Sequence, residues 1–374
     1  MDSCDVLIVG AGPAGSSCAW ALRGAGVDVG ILDKKSFPRD KVCGGWITPA
    51  VVEELEIDLK EYAASRVLQP ITGFLTSRMG GSEVLTDYGT PISYGIRRFE
   101  FDEFLVERSG ARLMEGTPLR SLERAGDGWL VNGEIRARII VGAGGHFCPV
   151  ARWLGANARE EVAVAAQEIE FEMTPAQRDA CAIRGEIPEL FFSADVKGYG
   201  WCFRKKSFLN IGLGRLDRHG LPQHVAQFVE FLHASGKIGF DLPKAMAGHA
   251  YLLHRGTKRT MVDDGVVLVG DAIGLAYPQS GEGIRPAVES GILAARAIVS
   301  ADGCYTKSRL ENYRDSLRER FGKADSEWSA AIGRRLPDGV IKSIAGRLFA
   351  SGWFSRHVIL DRWFLHRNEP ALSF

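Results

Sequence analysis

The 374-residue sequence has no cysteine pair at CxxC or zinc-ligand spacing, no excess of either charge, and no apolar run approaching a membrane span. Its seven cysteines, at 4, 18, 43, 148, 181, 202 and 304, are odd in number and scattered, which excludes a disulfide framework or metal knuckle and points to a reducing, cytoplasmic setting. Lys plus Arg equals Asp plus Glu at 46 each, so neither nucleic acid nor another strongly charged partner is expected. Without about 18 consecutive apolar residues no helix spans a bilayer, and a strand starting next to Met1 leaves no room for a cleavable leader. The expectation is a soluble protein, or one attached to a membrane only at its surface. Hydrophobic residues at 45% and charged residues at 25% are ordinary for a folded chain, and the length calls for an interrupted nucleotide domain plus a second domain.

What is present is glycine at chosen places. The apolar run Asp5 to Gly10 enters Gly10-Ala11-Gly12-Pro13-Ala14-Gly15, a helical segment follows to Ala25, and a second apolar run from Val27 to Leu32 ends in Asp33. This is a βαβ nucleotide unit: Gly10 makes the tight turn, Gly12 brings a backbone N–H to a pyrophosphate, and Gly15 allows close helix packing. Asp33 is placed to accept from an adenosine ribose. Lys34 and Lys35 either meet a 2′-phosphate or are solvated lysines at the mouth of the fold.

A second glycine run, GDAxGxxxPxxGEGIxxAxxSG, extends from Gly270 to Gly291. Two glycine clamps at opposite ends of the chain predict one dinucleotide held by both, and they favour FAD over a dissociable NAD. Asp271 is a good acceptor for ribityl hydroxyls, and a helix starting near Gly283 would direct a positive dipole end at reduced flavin.

Between them, Pro38-Arg39-Asp40-Lys41-Val42-Cys43-Gly44-Gly45 resembles the PxxKxCGG loop of the geranylgeranyl reductase family, FAD enzymes of the p-hydroxybenzoate hydroxylase-like superfamily. The resemblance implies an α/β fold: a Rossmann-like FAD-binding domain of the GR2 type, an antiparallel β-sheet substrate domain and a helical C-terminal region. The expected FAD-binding segments are 1–70, 98–160 and 256–320, the substrate-domain segments are 71–97 and 161–255, and the cap is 321–374. The cofactor set it implies is Gly10, Gly12, Pro13, Ala14, Gly15, Asp33, Lys34, Lys41, Cys43, Gly44, Gly45, Arg98, Leu119, Gly270, Asp271, Pro278, Gly281, Gly283 and Ile284. Arg98 begins an R-x-x-F-D segment whose arginine reaches the FAD phosphates in that family, and Leu119 stands where relatives place a backbone contact to adenine.

The candidate catalytic residues are Cys43 and Glu282, either of which would stand near the ring as proton source alongside water, with Tyr199 and Trp201 on the substrate side. Tyr199-Gly200-Trp201-Cys202-Phe203 and Asn210-Ile211-Gly212-Leu213-Gly214 are similar to the family's YxWxFP and N-x-G-x-G strands. A strand points Tyr199, Trp201 and Phe203 to one face, which is either core or a substrate wall. Arg204 departs from the family proline, and Gly144 stands where many hydroxylases carry an aspartate linked to NADPH binding. The implied activity is reduction of carbon–carbon double bonds in a hydrophobic small-molecule substrate by hydride from reduced flavin. NAD(P)H, ferredoxin or a flavin reductase would be the electron donor. A monooxygenase or halogenase-like enzyme, in which reduced flavin traps oxygen, is the alternative, and a flavoprotein maturation partner is a third. No metal is expected. From Ala331 onward, seven Lys or Arg against three Asp or Glu interleave with Trp353, Phe354, Trp363 and Phe364. This tail is a helical cap, or a peripheral contact with anionic membrane.

Overall fold

The computed structural model describes residues 2–157, 161, 163–217, 220–254, 259–322 and 347–372. Unit 1 comprises Met1–Asp40, Phe99–Ala163 and Tyr251–Ser326, and unit 2 comprises Lys41–Arg98, Val164–Ala250 and Glu327–Phe374. Residues 41–70, which the sequence groups with the nucleotide-binding part, therefore pack in unit 2. Their short strand Trp46–Ile47 pairs with Ser93–Ile96, and the Glu54 carboxylate accepts from the Leu372 backbone N–H at 3.1 Å.

Unit 1 is built on β1 (Asp2–Val9), α1 (Pro13–Leu22) and β2 (Val29–Leu32), with α2 (Arg98–Ser109) and β3 (Ile135–Gly142) following. β1 lies between β2 and β3, parallel to both; Arg112–Met114 extends the sheet beyond β2 and Val266–Leu268 beyond β3, again in parallel. The runs Val6 to Val9, Ile139 to Val141 and Val266 to Leu268 are buried throughout, the pattern of a sheet covered on both faces. The order switches at β1, which is where open α/β sheets bind ligands. The chain after Pro118 runs as a loop until the short strand Leu122–Ala125. The Asn132 side chain accepts from Arg120 and Ser121 N–H and donates to Pro118 O, replacing the ladder there.

The helices α3 (Ile284–Ser300) and α4 (Lys307–Phe321) complete unit 1. α3 crosses α1 so closely that a Cβ on Gly291 would lie 2.3 Å from Ala14 O. This crossing brings the two glycine runs of the sequence together within one unit. Arg285, buried in α3, is satisfied by Glu289 at 2.7 Å, and Arg320 of α4 donates to the same carboxylate at 2.9 Å.

Unit 2 contains β4 (Val164–Glu172), β5 (Gly198–Lys205) and β6 (Phe208–Arg215) in a seven-stranded sheet, with β6 in the middle of the three. Ala247–Tyr251 flanks β4, while Glu189–Phe192, Gly73–Arg78 and Val84–Asp87 continue beyond β5. One pairing departs from the expected antiparallel sheet: Glu189–Phe192 runs parallel to Gly73–Arg78. These strands come from distant segments, so no hairpin fixes their relative direction. One face is apolar, with Ile169, Phe171, Cys202, Leu209, Ile211 and Leu213 packed with Phe228 and Leu232 of helix Leu221–Ala234. The period-two alternation sends Glu168, Glu170, Tyr199, Trp201, Phe203, Lys205 and Asn210 to the opposite face.

The tail ends in a helical turn, Gly352–Phe354, and a ten-residue π-helix, Ser355–Phe364. Phe364 packs edge-on against Trp46 and Tyr199, at 6.1 and 5.4 Å between ring centroids. Much of the basic stretch, including Arg334, Arg335 and Lys342, lies outside the described residues.

Candidate active site

In unit 1, the turn after β1 leads into the N-terminus of α1, with Gly12 at the N-cap and Pro13 at the first helical position. The Asp33 carboxylate accepts from Ala11 N–H at 2.8 Å and from Lys35 N–H at 2.9 Å, so it also holds the glycine turn in shape. Lys34 is exposed beside it. A Cβ on Gly12 would meet only the Arg39 guanidinium, at 3.6 Å. Arg39 is held there by Asp102 of α2 at 3.1 Å, and Asp102 is fully buried. An open backbone cradle, a helix N-terminus and a fixed guanidinium form a donor set that fits a pyrophosphate.

Sequence reasoning missed Arg39 in this role. It weighed the R-x-x-F-D arginine, Arg98, which is buried at the start of α2, whereas the aspartate of that segment is what positions Arg39. Leu119 lies in the loop shaped by Asn132 and lines a cleft with Pro149, Arg152 and Trp153.

The second glycine run forms a short turn, Gly270–Ala272, after strand Val266–Leu268. Gly270 N–H donates to Ser290 Oγ at 2.9 Å, and a Cβ there would touch Ala14 at 3.0 Å, so the turn abuts α1. Gly283 caps α3, whose first residue is Ile284, and the Asp271 carboxylate lies 3.4 Å from where a Gly283 Cβ would be. Pro278 is half-buried, and the Tyr251 ring rests on Gly281. Glu282 is buried and accepts from the Arg285 N–H at 3.0 Å, a cap on α3.

Arg259 was also not legible from the sequence. It donates to Ala272 O at 3.0 Å and His146 O at 2.9 Å, stapling the turn after Gly270 to the turn after β3, and pairs with Glu161 at 2.6 Å. Burial, and then the Arg259 charge, hold His146 below the usual histidine range.

In unit 2 the loop bearing Cys43, Gly44 and Gly45 lies on the second face of the sheet. Trp201 Nε1 donates to Asn210 Oδ1 at 2.8 Å, and the indole edge is 3.5 Å from a Gly44 Cβ position. Gly212, opposite both Trp201 and Glu168, leaves the room that the indole fills. Tyr199, Trp201 and Phe203 therefore belong to the face carrying the Cys43 loop and not to the helix-backed core. Tyr199 is half-buried and stands 5.9 Å from Trp201 between ring centroids. Lys41 Nζ lies 3.0 Å from His249 Nε2.

Around this loop is a buried polar group of which the sequence motifs announced only Asn210. Asn210 Nδ2 donates to Cys43 O at 3.1 Å and to Glu168 Oε2 at 3.3 Å. Lys205 Nζ donates to Glu170 Oε1 at 2.7 Å, and Arg97 pairs with Glu170 at 3.4 Å. Burial pushes the Glu168 carboxyl up to about 7, although the nearby Cys43 backbone N–H and the Lys205 charge pull it the other way. Among the described residues no His, Cys, Asp and Glu cluster could hold a metal ion, and no helix is long and apolar enough to cross a membrane.

Residues 3–324 match the family model described as FAD binding domain. The chain is 32% identical to the menaquinone reductase of Mycobacterium tuberculosis, covering 90% of this chain and 83% of that protein. It is 30% identical to digeranylgeranylglycerophospholipid reductase 3 of Methanosphaera stadtmanae, covering 87% and 85%. Its fold is similar to the solved structure of a geranylgeranyl bacteriochlorophyll reductase-like protein of Thermoplasma acidophilum, with a TM-score of 0.79, 22% identity and 98% of each chain covered.

Proposed function

This chain belongs to the FAD binding domain family, on its geranylgeranyl reductase branch, and from that premise we propose that it saturates carbon–carbon double bonds of a lipophilic, isoprenoid-bearing substrate. It is an FAD-dependent oxidoreductase. Bound, reduced FAD would supply the hydride. In unit 1, Gly12, Pro13 and Arg39 would hold its pyrophosphate, and Asp271 with the Gly283 end of α3 would hold the ribityl and pyrimidine side.

The observation that carries the substrate class is the face formed by Tyr199, Trp201 and Phe203 beside the half-buried Cys43. The only polar atom of the Trp201 side chain is occupied by Asn210, so the indole turns no free donor toward a hydrocarbon. Cys43 is the proton-bearing group we assign to this face, whereas Glu282 serves the N-terminus of α3. Gly144 is crowded: a Cβ there would lie 3.1 Å from Cys148 Cα and Pro149 Cδ. An NADPH-linked aspartate is absent from this turn and would require Cys148 and Pro149 to give way, which favours a protein electron carrier. Trp353, 68% exposed, is the residue on which surface contact with a membrane would rest.

The test is product mass. Incubation of the reduced protein with a geranylgeranyl lipid under argon should yield product heavier by one H2 per turnover, and an oxygenated product formed only in air would favour the monooxygenase reading.

A further inference from the structure

We propose that Asn210, braced by Glu168, forms a clamp on the Cys43 carbonyl that sets the orientation of the Cys43 thiol. Asn210 Nδ2 donates to the Cys43 carbonyl at 3.1 Å and to the Glu168 carboxylate at 3.3 Å. The Cys43 carbonyl is thus held by a buried side chain of β6, which is itself bonded to a buried carboxylate of the adjacent strand β4. Asn210 is itself fixed, because its Oδ1 takes the Trp201 N–H at 2.8 Å and its Nδ2 is directed at both Cys43 O and Glu168.

The loop has no slack on the far side of Cys43. Gly45 adopts φ +68°, and a Cβ there would come within 2.4 Å of Ile96 O and collide with Lys205 Nζ. Lys205 is 1% exposed and paired with Glu170. The chain after the cysteine is therefore pressed onto the same polar group that grips the cysteine itself. The charged groups facing Glu168 are Lys205 from β5 and Glu170 from its own strand, with Arg97 reaching Glu170. Asn210 acts through the peptide and Glu168 through Asn210, which makes them positioning residues. The functional use of the clamp rests on the reading that Cys43 borders the reaction, and its existence does not.

Thiol labelling of the full-length chain separates the two. In a Cys304→Ser background, Cys43 is the one cysteine that is not buried. Iodoacetamide alkylation, followed by peptide mass mapping with and without bound FAD, reports how firmly its loop is held. Glu168→Ala should raise Cys43 labelling about fivefold to tenfold, the loss of one net hydrogen bond. Glu168→Gln, which keeps an acceptor for Asn210 Nδ2, should stay near the parent rate. Cys18 and Cys202, both fully buried, must remain protected in all variants. Asn210→Asp keeps the acceptor for Trp201 and loses the donor to Cys43, and it should raise labelling even if Glu168→Ala does not fold. Parent-like labelling in both Glu168→Ala and Asn210→Asp, or labelling of Cys43 only together with Cys18 and Cys202, overturns the clamp. Raised labelling with unchanged kcat and KM leaves the clamp standing and sinks the reading that Cys43 borders the reaction.

Discussion

The indole of Trp201 and the amide of Asn210, on neighbouring strands, are joined by a 2.8 Å hydrogen bond that fixes which end of the amide turns to Cys43. Trp201→Phe removes the donor and leaves Asn210 Oδ1 buried without it. The expected cost is about 1–3 kcal/mol of folding stability, read as a lower urea midpoint, with turnover falling because the amide is free to rotate. Unchanged stability would show that the amide is held by its other contacts alone.

Gly45→Ala tests the pressure of the loop on Lys205. The left-handed backbone alone costs roughly 1–3 kcal/mol in a non-glycine residue, and the Cβ also displaces the Lys205 ammonium from Glu170. A lowered melting temperature is expected. Gly116→Ala, also at positive φ but with no atom nearer than 3.9 Å to its Cβ position, should cost less.

Arg39 is expected to matter more to FAD affinity than Lys34. Arg39→Gln should weaken FAD binding by about tenfold or more, as expected on losing a charge-assisted bond to phosphate, whereas the exposed Lys34→Ala should stay within about twofold. Quenching of flavin fluorescence on titration into flavin-stripped protein measures both. Equal effects would move the phosphate contact away from Arg39.

Stability should depend on pH through Glu168. Its folded pKa is raised from 4.5 to about 7, so between those values the folded state holds a proton that the unfolded chain releases, and stability falls as pH rises through this window. The penalty is complete above about pH 7 and absent below about pH 4.5, on the order of 3 kcal/mol at most. His146 works in the opposite direction, because a histidine with a lowered folded pKa loses stability as pH falls. The informative quantity is therefore the difference between parent and Glu168→Gln urea midpoints, which should widen from pH 5 to pH 8 in favour of the variant.

The sequence made some of this legible and hid the rest for physical reasons. Gly10 to Gly15 and Gly270 to Gly291 are readable because local backbone geometry demands glycine at fixed spacing, and the buried runs of β1 and β3 are readable as continuous apolar stretches. The Tyr199 strand announces its alternation but not which face receives the covering helix. That is decided by Phe228 and Leu232, more than twenty residues further along. Glu168 and Lys205 look like ordinary surface residues in isolation, and the N-x-G-x-G motif marks Asn210 without showing its partners. Only the pairing of Glu168 with Gly212 and of Phe203 with Asn210 gathers them under one loop. Arg39 is hidden similarly, since its anchor Asp102 lies on a helix 63 positions later.

The central claim is that reduced flavin in this protein hands its electrons to a carbon–carbon double bond. The direct measurement is the absorbance of the bound flavin, reduced chemically under strict anaerobiosis and then mixed with a geranylgeranyl lipid. The account predicts return of the oxidised flavin spectrum without oxygen, with one double bond lost per flavin reoxidised, and no change with the fully saturated analogue. A flavin that stays reduced in the presence of the lipid, and reoxidises only when oxygen is admitted, would contradict it.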